Sequence, residues 1–383
     1  MPDVTIVGGG PAGTLTARLL ASSGRDVTVL EEHREAGEPI HCAGVVSPSL
    51  MEKFGVRPEI LTTISAADVL LPDGTVIKTA KRMPYALIID RGDFDRKLAD
   101  RAETAGATIK YGAHYKSHAI TDKKVTVDTN IGQFSSEILV GADGQNSIIA
   151  PSMGNNQVKY YLRGMQVDLK YRSDEEEKMI LRLGNEIAPG FFSWQIPLGD
   201  TTRFGLAVAA QYGTPKQYLD RLLENLGLGD KERLKTYTGK IPMGGRRTTY
   251  SDRLLLIGDA AGQIKPVSGG GLYPISLAAP ALKDTVDRAF SSRTFDGTVL
   301  SLYERSWRRA MGKSLSRGIW LRKYYDRLSD DALNEFGHLF SRPDIEDALS
   351  EIDIDDPGSV IKPILKKPGV KSAVFKAYLR SRK

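Results

Sequence analysis

The sequence is poor in cysteine: Cys42 is the single one among 383 residues, so no disulfide can form within the chain and no cysteine-rich zinc site can be built. One lone thiol suits a reducing cytosol, and a cytoplasmic location is the expectation. Long apolar runs are missing as well, and none approaches the ~18 residues of a membrane span. No secretory leader is expected, because an apolar strand pattern begins at Val4, where a leader would need a basic segment and then a longer apolar run. Histidine is scarce too. His33, His41, His114, His118 and His338 form no ligand cluster, and His114 and His118 sit in a strand-like stretch, so no metal is expected. The chain shows neither internal repeats nor low-complexity segments.

What is present is ordinary for a globular protein, with 41% hydrophobic and 26% charged residues, enough to bury a sizeable core. The formal net charge of +6 is local in origin. From Ser359 to the end stand Lys362, Lys366, Lys367, Lys371, Lys376, Arg380, Arg382 and Lys383, with no acidic residue among them. Val370, Val374, Phe375, Tyr378 and Leu379 are interleaved at near-helical spacing. Two readings stay open, a segment lying on the anionic cytoplasmic face of a membrane and a solvated terminal helix packed by its apolar stripe. No recognition motif accompanies the charge, so nucleic acid is not an expected partner.

The first thirty residues read as strand, glycine turn, helix and strand, the opening βαβ unit of a dinucleotide fold. Residues 66–79 read as a hairpin about Pro72-Asp73-Gly74, and residues 93–107 as a helix carrying Phe94, Leu98 and Ala102. Strand patterns follow at 108–111, 117–121, 124–128 and 138–141. From about 160 to 240 the chain changes to longer alternating strands, interrupted by a helix near 215–226. A buried strand returns at 253–257, and after Gly271 the pattern is almost wholly helical. The expected class is α/β (α+β overall): a Rossmann-like cofactor domain, an inserted antiparallel sheet covering the substrate, and a helical C-terminal part. The expected boundaries are 1–65, 89–155 and 245–290 for the discontinuous cofactor domain, 66–88 and 156–244 for the sheet, and 291–383 for the helical region.

Gly8-Gly9-Gly10-Pro11-Ala12-Gly13 matches G-x-G-x-x-G. Gly8 permits a tight turn, Gly10 lets backbone approach a pyrophosphate, and Gly13 allows close helix–strand packing. The phosphates would sit at the start of the following helix, where free amides and the helix dipole favour negative charge. The acidic pair Glu31-Glu32 ends the second strand, and Glu31 lies eighteen residues beyond Gly13, placed to accept hydrogen bonds from a ribose diol. A carboxylate there would repel a 2′-phosphate, so the site suits FAD or NAD rather than NADP. Gly141-Ala142-Asp143-Gly144 follows a second strand, and Gly258-Asp259-Ala260-Ala261-Gly262 a third, with Pro266 and Gly269-Gly270-Gly271 beyond it. A strand-end aspartate among small residues can bind a cofactor hydroxyl, and a triple glycine can bring backbone amides against a flat ring.

Three such motifs in this order resemble the FAD-binding fold of the aromatic-hydroxylase and geranylgeranyl-reductase superfamily, over most of residues 1–290. The resemblance implies that Glu31 binds the adenosine ribose, that Asp259 binds the ribityl chain and that Gly270 and Gly271 lie beside the isoalloxazine. Arg91, in Asp90-Arg91-Gly92-Asp93-Phe94-Asp95, matches an arginine that the family keeps near the cofactor, with an exposed helix-start arginine as the alternative.

Two further segments are similar to geranylgeranyl reductases. Residues 37–47, containing Cys42 and Ala43, resemble a segment whose cysteine and glycines face the flavin. Residues 189–197 resemble a pattern of proline, two residues, tyrosine, x, tryptophan, x, phenylalanine, proline, with Phe192 in place of the tyrosine and Ile196 in place of the phenylalanine. Phe192, Trp194 and Ile196 alternate along a strand pattern and would form one wall of a pocket for a polyprenyl chain, or else pack into an ordinary core. Flavin-dependent halogenases carry a similar tryptophan, x, tryptophan, x, isoleucine, proline motif, which Ile196-Pro197 fits equally well, but their active-site loop does not resemble the Cys42 segment. Cys42 is the catalytic candidate, as proton donor or alkene-positioning group, against the alternative of an inert thiol.

The implied activity is FAD-dependent saturation of double bonds in a geranylgeranyl or other isoprenoid chain, on a membrane lipid precursor. The external reductant, NAD(P)H or a protein donor, stays open. So do two rival activities: a flavin monooxygenase or halogenase, and an electron-transfer flavoprotein serving a quinone.

Overall fold

The computed structural model describes residues 1–81, 84–154, 157–158, 160–350, 353–355, 364, 366–370 and 372. Most of the basic C-terminal segment, including Lys362, Lys371, Lys376, Arg380, Arg382 and Lys383, lies outside the described residues, and with it both readings of that segment.

A six-stranded sheet runs in the order Tyr250–Ser251, Leu254–Leu256, Ile138–Gly141, Val4–Val7, Val27–Glu31, Thr108–Tyr111. All neighbours are parallel except the first pair. Val4–Val7 and Ile138–Gly141 are buried at every position, which is why their sequences run apolar without alternation. Helix Pro11–Ser22 covers one face, with Arg91–Thr104 and Leu272–Ser292 packed beside it. On the other face Val125 and Val127 of a three-stranded antiparallel sheet meet Val7, Leu30, Leu139 and Leu256.

The second large sheet has seven strands in the order Arg233–Met243, Tyr160–Leu169, Thr201–Ala209, Ser193–Leu198, Lys178–Arg182, Ala66–Leu70, Val76–Ala80. The hairpin expected at 66–79 thus forms its edge, joined through a parallel pairing with Lys178–Arg182. One face is sealed by helix Pro215–Asn225, whose Leu219, Leu222 and Leu223 pack on Phe204, Leu206 and Val208. The opposite face looks toward the first sheet. Between the two lies a small antiparallel sheet of Val45–Val46, Ala86–Ile89 and Ile60–Ile64, which the sequence pattern did not disclose.

Helices Gly297–Trp307, Lys313–Tyr325, Asp330–Phe340 and Pro343–Leu349 follow, with a π-helical turn, Arg308–Gly312, joining the first two. Tyr303 and Trp307 fasten this region to the first sheet. The Tyr303 hydroxyl donates to the Leu256 carbonyl at 2.9 Å, and the Trp307 indole donates to Thr249 Oγ1 at 3.0 Å. Both side chains are fully buried. Trp307→Ala removes that packing and the indole's bond to Thr249, whose hydroxyl keeps its Glu304 acceptor, so a loss of about 3–5 kcal/mol is expected in urea unfolding. A loss below ~1 kcal/mol would mean that the helix adds little to the stability of the sheet beneath it.

Candidate cofactor and substrate site

The glycine turn owes its shape to backbones that nearly touch. Gly8 adopts φ 106°, and a side chain there would stand 2.3 Å from the Ala142 carbonyl oxygen. A methyl on Gly13 would stand 1.9 Å from the Gly8 carbonyl oxygen. No L side chain fits either place. Gly10 faces open space, where a phosphate can approach, and Pro11 opens the helix without an unsatisfied N–H. Ala12 lies against the third motif, since a side chain on Gly258 would meet its Cβ at 2.8 Å. The three glycine-bearing segments therefore converge on one end of the sheet.

Glu31 accepts a hydrogen bond from Gly9 N at 2.5 Å and two more from His33, through its N–H at 2.8 Å and its ring at 2.6 Å. Its partner Glu32 points into solvent, near His33 and His114. The structure thus sets Glu31 on the glycine turn and leaves Glu32 away from it. Asp143 Oδ2 caps the turn that follows, accepting from Ile148 N at 2.8 Å and Ile149 N at 3.1 Å, while Oδ1 is buried without a partner. Gly144 lies in that turn at φ 71°.

Asp259 opens to the surface on one side only, and its carboxyl has no hydrogen-bond donor among the described residues. Surrounding protein pushes it up to about 6, against the pull of the Arg91 guanidinium. A side chain on Gly271 would come within 3.0 Å of its Oδ1, so the glycine loop and this carboxyl share one space. An acceptor held without a donor beside a glycine-lined cradle fits the hydroxyls of a bound dinucleotide.

Cys42 lies on a loop fastened to the second sheet. His41 Nδ1 meets the Thr238 carbonyl at 2.7 Å, Gln166 Nε2 donates to the Cys42 carbonyl at 3.1 Å, and Arg203 Nη1 donates to the Ala43 carbonyl at 2.8 Å. Arg203 is itself gripped by Asp168 at 2.6 and 2.8 Å, and Tyr237 donates to the same carboxylate at 3.1 Å. Burial and then Asp168 push the Tyr237 hydroxyl up to about 12.

From the other side, Arg91 is clamped by Asp95 at 3.0 Å and reaches the Cys42 thiol. Burial works against both arginine charges, but Asp95 and Cys42 hold Arg91, and Asp168, Tyr237 and Cys42 hold Arg203, above the ordinary guanidinium range. Arg91 is therefore an interior residue and not an exposed helix start.

The three residues expected to form one wall are divided. Phe192 precedes the strand Ser193–Leu198 and stacks on Phe191, centroids 4.0 Å apart, with Trp194 edge-on to it at 6.3 Å. The Trp194 indole lies over Gly205, where any side chain would stand 2.4 Å from the ring, and Nε1 donates to Gln166 Oε1 at 3.3 Å. Ile196 is fully buried in a cluster with Ala43 and Val45, which Trp194 also joins, while Phe192 packs in another cluster that shares Trp194. A side chain on Gly269 would stand 3.7 Å from Phe191, and one on Gly270 would meet Lys265 Cε at 2.8 Å. The wall and the triple glycine are neighbours.

Gln166, Asp168, Arg203 and Tyr237 escaped the sequence reading. The available signal was a run of polar residues alternating with apolar ones in a strand that is otherwise deep in the fold.

The Asp259 carboxyl has a pH signature. Its folded pKa, about 6, lies above the ordinary carboxyl value, so its burial costs nothing at pH 4 and progressively more as pH rises toward 6. With the cofactor removed, Asp259→Asn is expected to match the parent near pH 4 and to exceed it above pH 6. The gain is on the order of 1 kcal/mol, reduced by the carboxyl's remaining contact with water. Urea unfolding across pH checks this, and a gain that shrinks with rising pH would contradict it.

Residues 1–199 match the family described as FAD binding domain. The chain is 31% identical over 355 residues to digeranylgeranylglycerophospholipid reductase 2 of Methanothermobacter thermautotrophicus, covering 87% of this chain and 90% of that one. It is 30% identical over 391 residues to digeranylgeranylglycerophospholipid reductase of Methanocaldococcus jannaschii, covering 96% of each. Among solved structures it resembles a geranylgeranyl bacteriochlorophyll reductase-like protein from Thermoplasma acidophilum, with TM-score 0.87, 22% identity and coverage of 98% of this chain and 99% of that one. The halogenase PltM shares the fold at TM-score 0.72 and 17% identity, over 100% of this chain and 92% of its own. The structural likenesses speak for the fold; the sequence relatives speak for the family. The cofactor is FAD, and the chain belongs to the geranylgeranyl reductase family of FAD-dependent oxidoreductases.

Proposed function

We propose that this protein saturates double bonds of geranylgeranyl chains carried by a glycerophospholipid, the substrate for which its curated relatives are named. One observation carries the reading: Gln166 ties the loop of the single thiol to Trp194, Arg91 and Arg203 flank that loop, and Phe191 of the aromatic wall borders Gly269. Gly8, Gly10, Pro11, Ala12, Gly13 and Glu31 hold the adenine half of FAD. Asp143, Gly144 and Asp259 hold its middle, and Gly270, Gly271 and Arg91 border the ring. Reduced FAD supplies a hydride. An isolated alkene accepts hydride only when the other carbon receives a proton, and Cys42 is the donor in reach. Arg91 and Arg203 offset the charge left on sulfur, while Phe192 and Trp194 exclude water and align the chain. A substrate anchored in lipid places the enzyme at a cytoplasmic membrane face. No helix among the described residues is long and apolar enough to cross a membrane.

The shared halogenase fold keeps an oxygen-using reaction as the reading to beat. Dithionite-reduced protein, held without oxygen and given digeranylgeranylglycerophospholipid, is expected to reoxidise as product mass rises in steps of two hydrogens. Flavin that stays reduced until air enters would favour the oxygen-using class, and reoxidation by a quinone with no alkene product would favour electron transfer. Cys42→Ala is expected to keep the flavin spectrum and lose about 10²–10⁴-fold in kcat, the usual weight of a positioned proton donor. Activity within about twofold of the parent would leave the alkene reduction standing and remove Cys42 from it.

A further inference from the structure

Helix Lys313–Tyr325 has two unlike faces. The inner one lies on the site: a methyl on Gly318 would stand 3.0 Å from Pro266, in the loop that leads to Gly269–Gly271. The Arg322 guanidinium lies 5.0 Å above the Phe191 ring, and the Tyr325 hydroxyl donates to the Phe191 carbonyl at 2.5 Å. The outer face carries Trp320, 54% exposed, and Leu321, 42% exposed, with Val267, 48% exposed, on the adjoining loop. Large apolar side chains standing together at this exposure are costly in water unless something covers them.

The charge around them has one sign. Residues 305–325 contain seven basic residues and no acidic one. Arg309, Lys313, Arg317 and Lys323 are exposed and make no ion pair or hydrogen bond among the described residues. An exposed helix face with tryptophan and leucine at its crest and unpaired cations around it suits a headgroup boundary, where the apolar tips enter and the cations meet anionic headgroups. Nucleic acid fits less well, because the apolar crest would meet the phosphates first.

We propose that this helix, with Val267 beside it, is the membrane-docking surface of the protein, and that its partner is an anionic lipid surface. The inference deepens the lipid-substrate reading and rests on it for purpose. The same helix that touches lipid outside presses on the flavin loop and the aromatic wall inside, so docking brings the pocket to the bilayer without a separate carrier.

The test uses holoenzyme and vesicles of phosphatidylcholine with and without phosphatidylglycerol. Sedimentation is expected to show binding only to the anionic vesicles. Bromine-labelled lipid chains are expected to quench Trp320, a signal lost in Trp320→Phe. The variant Lys313→Gln/Arg317→Gln/Trp320→Ser is expected to bind on the order of a hundredfold more weakly. Its turnover of detergent-dispersed substrate should stay unchanged, which also shows that it is folded. A variant of the C-terminal cations, Lys376→Gln/Arg380→Gln/Lys383→Gln, is expected to bind like the parent.

Loss of binding in that second variant and not in the first would overturn the proposal. So would a triple variant that loses only duplex DNA binding or only self-association in sedimentation velocity. Vesicle binding without lipid reduction would sink the functional reading and leave the surface standing. Lipid reduction in detergent with no vesicle binding would do the reverse.

Discussion

The site depends on the buried pair of Arg203 and Asp168. The two oppose each other across neighbouring strands of the seven-stranded sheet, and the guanidinium also donates to the Ala43 carbonyl. A buried ion pair is poor evidence of stability, because desolvation cancels much of the attraction. Its value here is directional. A planar fork held by one carboxylate aims its free Nη1 edge at the loop that carries Cys42. Removing either partner would strand a charge in the interior, so the sheet and the loop cannot drift apart cheaply.

That constraint explains the division of labour between the sheets. The first places three backbone turns within van der Waals reach of one another, and glycine is required where they meet: at Gly8 against Ala142 and at Gly13 against Gly8. The second sheet supplies side chains instead. Its outer face is sealed by Pro215–Asn225. Its inner face presents one cross-strand row of Tyr237, Gln166, Gly205 and Trp194, and beside it a row with Asp168, Arg203 and Ile196. Thiol, wall and ion pair are thus set by strand register, which a one-residue slip would invert.

The cofactor half was largely legible in the sequence, because close backbone approach selects glycine at fixed spacing and doubly covered strands lose their alternation. The rest was hidden for identifiable reasons. Gln166 and Asp168 alternate with Met165, Val167 and Leu169, a pattern normally read as polar side out, whereas here the polar side turns inward onto the Cys42 loop and the apolar side packs under a helix. Val45–Val46 is too short to have a period, so the small sheet that ties the thiol loop to Ala86–Ile89 left no trace. Trp194 and Ile196 alternate along the strand and Phe192 precedes it, but residues Ala43 and Val45 beyond Cys42 cover Ile196, so only Trp194 packs with both ends of the row. Glu31 and Glu32 are adjacent and chemically alike, yet the strand ends at Glu31, which reaches the turn, while Glu32 lies beyond it and points to solvent.

These rows bear on how a proton can be delivered inside an apolar pocket. An alkene wall must be dry, but a group that releases a proton there leaves a charge that a dry wall cannot solvate. Cys42 stands at the boundary between the two demands. Gln166 joins them physically, donating to the Cys42 carbonyl while accepting from the Trp194 indole. On the proposed reading, Trp194 and Phe192 face the chain, while Arg91 and Arg203 approach the thiol from opposite domains. Each arginine already has a carboxylate partner, Asp95 or Asp168, so neither charge is free to bind a stray anion in the resting site.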